Sequence, residues 1–144
     1  MQITRQADYA VRAVSFLARL APGERVPTSL IAERQRIPQT FLAKIISQLS
    51  AAGIIRATRG ARGGVALART SENVNLLEVI EAIDGPVRLN ECVTDPDVCS
   101  MSEICPVRSV WCKAQAELVE RLQGTRFNQL AAPTQVLAAV PAIA

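Results

Sequence analysis

Residues 38–68 read PQTFLAKIISQLSAAGIIRATRGARGGVALA, and two successive patterns in this stretch point to one fold. The first half spaces its apolar residues as one face of a helix does, which predicts a helix over residues 38–52 with Gly53 as its C-cap. The second half has two short β-prone runs, residues 54–59 and 65–68, around a glycine-rich connection, which predicts a β-hairpin. The helix residues predicted to face inward are Phe41, Leu42, Ile45, Ile46 and Leu49.

A second, shorter helix is predicted just before this stretch. Thr28 or Ser29 can cap a helix that ends at about Arg34, and a brief turn then leads to Pro38, which suits the first position of a helix. Two short helices joined by so brief a turn are typical of a helix-turn-helix, and a hairpin directly after them is typical of a wing. We therefore predict a winged helix-turn-helix.

The flanking segments complete a fold that is mainly α with a small β-hairpin wing. We predict an amphipathic helix over residues 3–20, a helix that begins with an Asn75–Glu78 capping box, and a long helix that runs from Cys105-Pro106 to Gln123. The predicted organisation is a DNA-binding domain (1–85), a polar cysteine-rich loop (86–105), a dimerisation helix with a return segment (106–130) and a flexible tail (131–144).

The long helix carries an apolar stripe whose members are separated by steps of four, three, four and four residues. This spacing suits packing along a partner helix, or against the helix's own chain. The residues of the stripe are Val107, Trp111, Ala114, Leu118 and Leu122.

Charge divides the chain into two unlike halves. Residues 1–70 contain eleven basic and three acidic residues, a net charge of +8, whereas residues 71–144 contain five basic and ten acidic residues, a net charge of −5. The basic half fits a surface that faces a polyanion, although an unevenly charged solvated surface would look the same. No apolar run approaches the roughly 20 residues of a membrane span, and the polar stripe of Arg5, Asp8 and Arg12 is unlike a secretory signal. We expect a cytoplasmic protein.

The composition also restricts the chemistry. Histidine is absent, which excludes histidine-based catalytic dyads and triads and imidazole metal ligands. The five aromatic residues are too few for a platform that stacks single-stranded bases. No C-x-x-C motif occurs, so a thiol oxidoreductase is disfavoured and no enzyme is expected.

Polar residues of the predicted second helix and arginines of the wing are candidates for contacts with duplex DNA. The start of the second helix of a helix-turn-helix lies in the major groove, where Gln, Thr and Lys can reach base edges, and residues a turn later reach phosphates. Guanidinium groups on a hairpin can enter a narrow minor groove, where the negative potential is strongest. The candidates are Gln39, Thr40 and Lys44 for bases, Ser47 and Gln48 for the backbone, and Arg56, Arg59, Arg62 and Arg69 for the wing. The alternatives are a face that merely contacts water, a site for a small anion, or a winged helix that binds protein.

Three of the four cysteines, Cys92, Cys99 and Cys105, lie in one polar segment with the spacing C-x6-C-x5-C. In a reducing compartment this pattern favours metal binding or thiol chemistry over disulfides. Soft thiolates select zinc, cuprous copper or an iron–sulfur cluster, and the spacing does not separate these. Cys112 would lie about 10 Å further along a continuous helix than Cys105, so we interpret it as a packing residue.

Several short motifs resemble the winged-helix iron–sulfur transcription regulators typified by IscR and NsrR, in matching order over about residues 1–130. The motifs are ADYA (7–10), SAAGII (50–55), TRG (58–60), GG (63–64), EAIDGP (81–86) and Cys105-Pro106 followed by Trp111. The resemblance implies a homodimer, crossed through the long helix, that binds a near-palindromic operator in double-stranded DNA. It also implies that Cys92, Cys99 and Cys105 hold an iron–sulfur cluster, either [2Fe–2S] or [4Fe–4S].

The fourth ligand differs within this family. IscR-like proteins have a histidine three residues after the last loop cysteine, where this chain has Arg108. NsrR-like proteins use an aspartate of the first helix from the other subunit, and Asp8 stands at the matching place. Asp8 could instead form an ordinary surface pair with Arg5 or Arg12. The resulting hypothesis is a transcription regulator, a repressor or an activator, whose operator affinity is controlled by redox, nitric oxide or iron status. The alternative is a zinc or thiol-redox cysteine site.

Overall fold

The computed structural model describes residues 2–131, so the predicted flexible tail lies, apart from Ala131, outside the described residues. This part of the chain folds into helices and one antiparallel two-stranded sheet, which confirms the predicted fold class. The elements are α1 (Arg5–Ala18), α2 (Thr28–Gln35), α3 (Gln39–Ala51), β1 (Ile55–Thr58), β2 (Gly64–Leu67), α4 (Leu76–Asp84), α5 (Glu91–Thr94), α6 (Arg108–Gly124) and α7 (Phe127–Leu130).

Helix α1 lies at the centre of the core because one of its faces is built mainly from small side chains. Three alanines and two larger residues are buried on that face, and the small side chains let α4, α3 and α2 approach closely. Thr4 caps the helix and also forms hydrogen bonds with Asp84 at the end of α4, which joins the start of α1 to the end of α4. The buried residues of α1 are Ala7, Ala10, Ala13, Val14 and Leu17.

The helix-turn-helix has the predicted order, but its helix starts differ from those predicted. Neither Thr28 nor Ser29 caps α2, because Pro27 occupies the N-cap position and Thr28 is already helical. Pro38 likewise precedes α3 with an extended backbone and is not its first helical residue. The turn is compact because Arg36 adopts a left-handed conformation with φ of 52°, which reverses the chain within two residues.

Helix α3 is anchored by Leu42, Ile45, Ile46 and Leu49, all buried as predicted. The prediction that Phe41 faces inward is wrong, because its side chain is 42% exposed. Residue 41 lies at the edge of the stripe formed by the other four, and its ring packs edge-on against Tyr9, with centroids 6.0 Å apart. The helix ends at Ala51 with Ala52 as its C-cap, and Gly53 closes it as predicted: Gly53 has a φ of 71°, and its N–H and that of Ile54 donate to the carbonyls of Ser50 and Leu49.

The C-terminal elements depart most from the sequence prediction. The capping box of Asn75 and Glu78 is confirmed at the start of α4. By contrast, α6 begins at Arg108, three residues after Cys105, so the predicted helix start at Cys105-Pro106 is wrong. Part of the predicted loop forms the one-turn helix α5. After α6 the chain returns to the core, where Phe127 is 0% exposed and its N–H donates to the carbonyl of Val74.

Candidate nucleic-acid interface and cysteine segment

Helix α3 presents a polar face to solvent because its apolar face is held in the core. Gln39, Thr40, Lys44 and Ser47 are all exposed, and Gln39 and Thr40 belong to the first turn of the helix. Gln48 differs, because it is half-buried and its Oε1 atom is buried without a hydrogen-bond partner. Four of the five predicted contacts on this helix are therefore accessible to a ligand in the single chain.

The hairpin that follows α3 has the geometry of a wing with a glycine-dependent turn. Its strands pair from Ile55 opposite Leu67 to Thr58 opposite Gly64, so residues 59–63 form the tip. A Cβ atom on Gly63 would lie 2.2 Å from the carbonyl oxygen of Thr58, which no larger residue can accommodate without movement of the backbone.

The wing is also fixed to the helix-turn-helix by a third segment of backbone. Val26 and Val65 exchange two hydrogen bonds, of 3.1 and 2.8 Å, just before α2 begins. A Cβ on Gly64, which has a φ of 138°, would lie 2.9 Å from the carbonyl oxygen of Val26. The close approach of these two backbones therefore requires glycine at this position.

The wing arginines divide into three that are unpaired and one that is engaged. Arg56, Arg59 and Arg62 are exposed, and none takes part in the two ion pairs found within residues 2–131. Arg69 instead contacts Glu78 at 2.8 Å and donates to the carbonyl of Asn73 at 2.9 Å. The structure thus assigns Arg69 to the base of the wing, where it joins β2 to α4.

Asp8 forms the surface pair that competes with its predicted role as a ligand. Its Oδ2 atom lies 3.4 Å from Nε of Arg12, one turn along α1, and its side chain is 54% exposed. The Arg12 guanidinium also lies 4.8 Å above the ring of Tyr9 and donates to the carbonyl of Gln35 at the end of α2. The ligand role, which needs a second subunit, stays a prediction.

The three candidate cysteines are reachable, but a single chain does not gather them into a ligand set. Cys92 lies in α5, Cys99 is exposed after a 3-10 turn, and Cys105 lies before α6. Within residues 2–131, no three Cys, Asp or Glu side chains are grouped closely enough to hold a metal ion. The ligand assignment of Cys92, Cys99 and Cys105 therefore stays a prediction. Cys112 is half-buried on α6.

Arg108 holds the two ends of the cysteine segment near one another. Its Nε donates to the carbonyl of Cys92 at 3.0 Å, and its backbone N–H donates to the carbonyl of Cys105 at 3.3 Å. The position that carries histidine in IscR-like proteins thus has a structural role in this chain.

The donor chemistry of the segment fits a thiolate-bound group. All four cysteines are free, and a soft cluster or metal needs such sulfur donors. Between Cys99 and Cys105, the hydroxyl of Ser102 is buried and has no hydrogen-bond partner. An orphaned donor of this kind is costly in an apolar surrounding, by about 1–3 kcal/mol, unless an acceptor completes it.

Apolar side chains are exposed along the cysteine segment and the start of α6. No residue of α6 is buried, which is unusual for a helix of 17 residues in a folded protein. The large exposed side chains of this region are Val98, Met101, Ile104, Val107, Val110 and Trp111.

Two features of the site have no clear sequence signal. Gln115 of α6 donates to the carbonyl of Val87 and accepts from the N–H of Leu89, which fixes the chain entering the cysteine segment. Arg12 caps the end of α2 although 23 residues separate it from Gln35. Both are contacts between a side chain and the backbone of a segment distant in sequence, for which spacing and composition give no signal.

Among residues 2–131, no helix has the length and apolar character to cross a membrane.

Comparison with known proteins gives consistent matches. Residues 3–133 match the Rrf2 family, described as an iron-dependent transcriptional regulator. The HTH-type transcriptional regulator NsrR of Bacillus subtilis is 32% identical over 111 residues, which cover 76% of each protein. The solved structure of CymR, the global cysteine regulator of B. subtilis, has a TM-score of 0.77 at 22% identity and covers 93% of this chain and 98% of its own. IscR of T. potens has a TM-score of 0.69 at 25% identity and covers 97% of each chain.

Proposed function

This chain belongs to the Rrf2 family of winged-helix transcription regulators, and from that premise we propose a homodimer whose operator affinity is controlled by an iron–sulfur cluster. Membership of this family makes the chain a DNA-binding transcription regulator. We also propose that the regulator acts in the cytoplasm on a near-palindromic operator.

The proposed DNA contacts are supported by a set of basic side chains that have no anionic partner among the described residues. Lys44, Arg56, Arg59 and Arg62 are exposed and lie outside both ion pairs of the described residues. No acidic residue occurs between Glu33 and Glu72 to neutralise them. A duplex offers the complementary negative charge along its backbone and in its grooves.

Helix α3 and the wing would then contact different grooves of the duplex. Gln39, Thr40 and Lys44 at the start of α3 would contact base edges in the major groove, with Ser47 and Gln48 on the phosphates. The rigid glycine turn would direct Arg59 and Arg62 towards the minor groove. Arg56, nearer the base of the wing, would contact phosphate.

The test is the affinity of Arg59→Ala for a duplex that the wild-type protein selects from a random library. We expect a loss of about tenfold or more and a shallower dependence on salt, because one cationic contact is removed. Arg121→Ala, which removes an exposed arginine of α6, is the matched control and should bind like wild type. Equal affinity of Arg59→Ala and Arg121→Ala would contradict the assignment of the wing.

The second copy is proposed to lie along α6. A helix with no buried residue and with Val110 and Trp111 exposed at its start has an apolar surface that one chain leaves uncovered. The spacing of its apolar stripe suits a partner helix. Val110→Asp should lower the apparent mass in sedimentation towards one chain. Ser109→Asp is the matched control on the neighbouring exposed position, and an unchanged mass for both variants would contradict this interface.

The cluster is proposed to be held by Cys92, Cys99 and Cys105, with Asp8 from the second subunit as the fourth ligand. When bound, such a cluster supplies a centre that responds to redox state, nitric oxide or iron supply. In this chain Asp8 is paired with Arg12, and Arg12 also holds the carbonyl of Gln35 at the end of α2. A change of partner at Asp8 would therefore reach the helix-turn-helix through Arg12, and a regulator needs such a difference between its states.

Metal analysis separates this proposal from its alternative. Protein purified without oxygen should be coloured and contain iron and inorganic sulfide, and Cys99→Ser should lose both while Cys112→Ser keeps them. The alternative is a zinc or thiol-redox site, and the free, ungathered cysteines of one chain suit the thiol-redox form of it. A colourless protein that contains zinc, or no metal, with unchanged DNA affinity would favour that alternative and contradict control by a cluster.

A further inference from the structure

A third segment of backbone widens the wing beyond its two strands. Val26 and Val65 pair in antiparallel fashion and exchange two backbone hydrogen bonds, while Val65 also lies opposite Ala57 of β1. The approach is so close that a Cβ on Gly64 would lie 2.9 Å from the carbonyl oxygen of Val26. The segment around Val26 therefore extends the sheet on the edge of β2 that faces away from β1.

The register of this widened sheet places two arginines on either side of one alanine. Because Val26 pairs with Val65, the same register sets Arg25 opposite Ala66, and Ala66 in turn pairs with Arg56. Residues directly opposite one another in an antiparallel sheet point to the same face. Val26 and Val65 belong to the hydrophobic core, so their neighbours in sequence lie on the other, outer face.

The alanine at the centre of this row is covered although it lies outside the core. Ala66 is 6% exposed and does not belong to the core cluster. Arg25 and Arg56 are exposed, and their long stems can lie across the alanine while the charged ends stay in water. Neighbouring strands are about 4.8 Å apart, so the two arginine Cα atoms are about 10 Å apart and both guanidinium groups can reach a point between them.

No anionic side chain of the described residues neutralises this pair of arginines. Both lie outside the two ion pairs found within residues 2–131. The acidic residue beside Arg25 in the sequence, Glu24, is engaged in a turn, since its Oε2 accepts from the N–H of Ala21. Two cations held close together without a counter-ion create a positive potential that attracts an external anion.

The position of the pair indicates which anion it meets. Arg56 lies three residues before Arg59 at the tip of the wing, and Arg25 lies three residues before Thr28, the first residue of α2. When the tip of a hairpin enters a groove of a duplex, the strands behind it lie beside the sugar–phosphate backbone that borders the groove. Contacts to that backbone fix the orientation of a protein on DNA.

We propose that Arg25 and Arg56 clamp one phosphate group of the DNA backbone from the outer face of the wing. Arg25 is then a DNA-binding residue that belongs neither to the helix-turn-helix nor to the hairpin. The inference rests on the DNA contacts of the proposed function and adds a residue to them. Guanidinium groups donate paired hydrogen bonds to phosphate oxygens, so two of them approaching from neighbouring strands suit a single phosphate.

The test measures the affinity of Arg25→Ala for the selected duplex and for a duplex of scrambled sequence, over a range of salt concentrations. We expect both affinities to fall by the same factor, about three- to tenfold, because a phosphate contact is independent of sequence. The slope of log affinity against log salt should become shallower by about 0.9. Arg25→Lys keeps the charge and should keep the slope, and Arg121→Ala is the matched control for loss of an exposed arginine.

A double-mutant cycle tests whether the two arginines share one phosphate. Each guanidinium holds the phosphate in place for the other, so the variant with both Arg25→Ala and Arg56→Ala should lose less affinity than the product of the two single losses. A loss equal to that product, or greater, would overturn the shared clamp.

The remaining outcomes separate this inference from the proposed wing contacts. Arg25→Ala should unfold at the wild-type temperature, and a clear loss of stability would show that its side chain serves the fold and would overturn the inference. Unchanged affinity and salt slope of Arg25→Ala, beside a loss in Arg59→Ala, would also overturn it, with the wing contacts intact. Unchanged affinity of both variants would overturn the wing contacts together with the clamp.

Discussion

Two parts of the chain, residues 2–85 and residues 86–124, differ in how far they bury their apolar side chains. In residues 2–85, helix α1 supplies a packed core, α4 begins with a full capping box, and the wing is held by backbone hydrogen bonds to the segment before α2. In residues 86–124, α6 buries no residue, and large apolar side chains are exposed along the cysteine segment and the start of α6. The first part buries most of its large apolar side chains within one chain, whereas the second part leaves apolar surface uncovered.

The segment after α6 belongs to the packed core, although it follows the exposed region in the sequence. Phe127 closes the core of the first half, and the strand-like bridge between Asn75 and Arg126 holds it there. The chain therefore anchors both ends of the cysteine segment and α6 to a stable body.

The largest effect should come from Phe127→Ala in the closed core. Removal of a fully buried aromatic side chain leaves a cavity and should lower the free energy of unfolding by about 3–5 kcal/mol. Trp111→Ala is the matched control, since this larger but exposed ring should matter little to the unfolding of the single chain. Urea denaturation at low protein concentration measures both. A greater loss from Trp111→Ala than from Phe127→Ala would reverse the comparison of the two halves.

The next largest effect is expected in the wing, from Gly63→Ala. The new methyl group would meet the carbonyl oxygen of Thr58, so the tip must shift, at a cost of about 1–3 kcal/mol in the free energy of unfolding. DNA affinity should fall as well, because Arg59 and Arg62 would be displaced. Ala61→Gly, on the same tip, is the control. If Gly63→Ala has the same stability and DNA affinity as the wild-type protein, the geometry of the turn is unimportant.

A smaller effect is expected from Asn75→Ala at the start of α4. The side chain of Asn75 accepts from the N–H of Glu78, and loss of this cap should cost about 1 kcal/mol. Thermal unfolding of the metal-free protein measures it. Asn128→Ala, at an exposed position of α7, should have no comparable effect. Equal melting temperatures for Asn75→Ala and wild type would contradict a stabilising cap.

The smallest effect on stability, and the most informative contrast, comes from Asp8→Asn. In metal-free protein it removes only an exposed pair with Arg12, so unfolding should change by less than about 0.5 kcal/mol. In cluster-loaded protein the same variant should change the visible spectrum, because the proposed fourth ligand is altered. Glu72→Gln, an exposed acidic residue elsewhere, is the control for both measurements. An unchanged spectrum would remove Asp8 from the proposed ligand set.

The same division separates what the sequence could predict from what it could not. The helix-turn-helix, the hairpin and the Asn75–Glu78 box follow from local spacing and capping chemistry, and the structure confirms them. The start of α6 is predicted at Cys105-Pro106 because proline favours a first helical turn, but the helix begins at Arg108, whose side chain donates to the carbonyl of Cys92 in α5. Local preference decides an element's start only where no tertiary contact competes for it.

The candidate site shows the same limit in its side chains. Exposure of Lys44 and the wing arginines follows from the polar stripe and the glycines, so these were predictable. The engagement of Arg69 by Glu78, the exposure of Phe41 and the burial of Ser102 depend on residues distant in sequence or on the edge of a helical face. A single sequence carries no periodic signal for such contacts.

Removal of iron tests most directly the proposal that the group bound by the cysteine segment controls the affinity of the winged helix for DNA. The affinity of oxygen-free protein for its selected duplex is measured before and after removal of iron with a chelator, beside Cys99→Ser treated in the same way. We predict a change of at least about tenfold for wild type, a coupling free energy of roughly 1.4 kcal/mol, and no response from Cys99→Ser. Equal affinity of the wild-type protein before and after iron removal would contradict control of DNA binding by the cysteine segment.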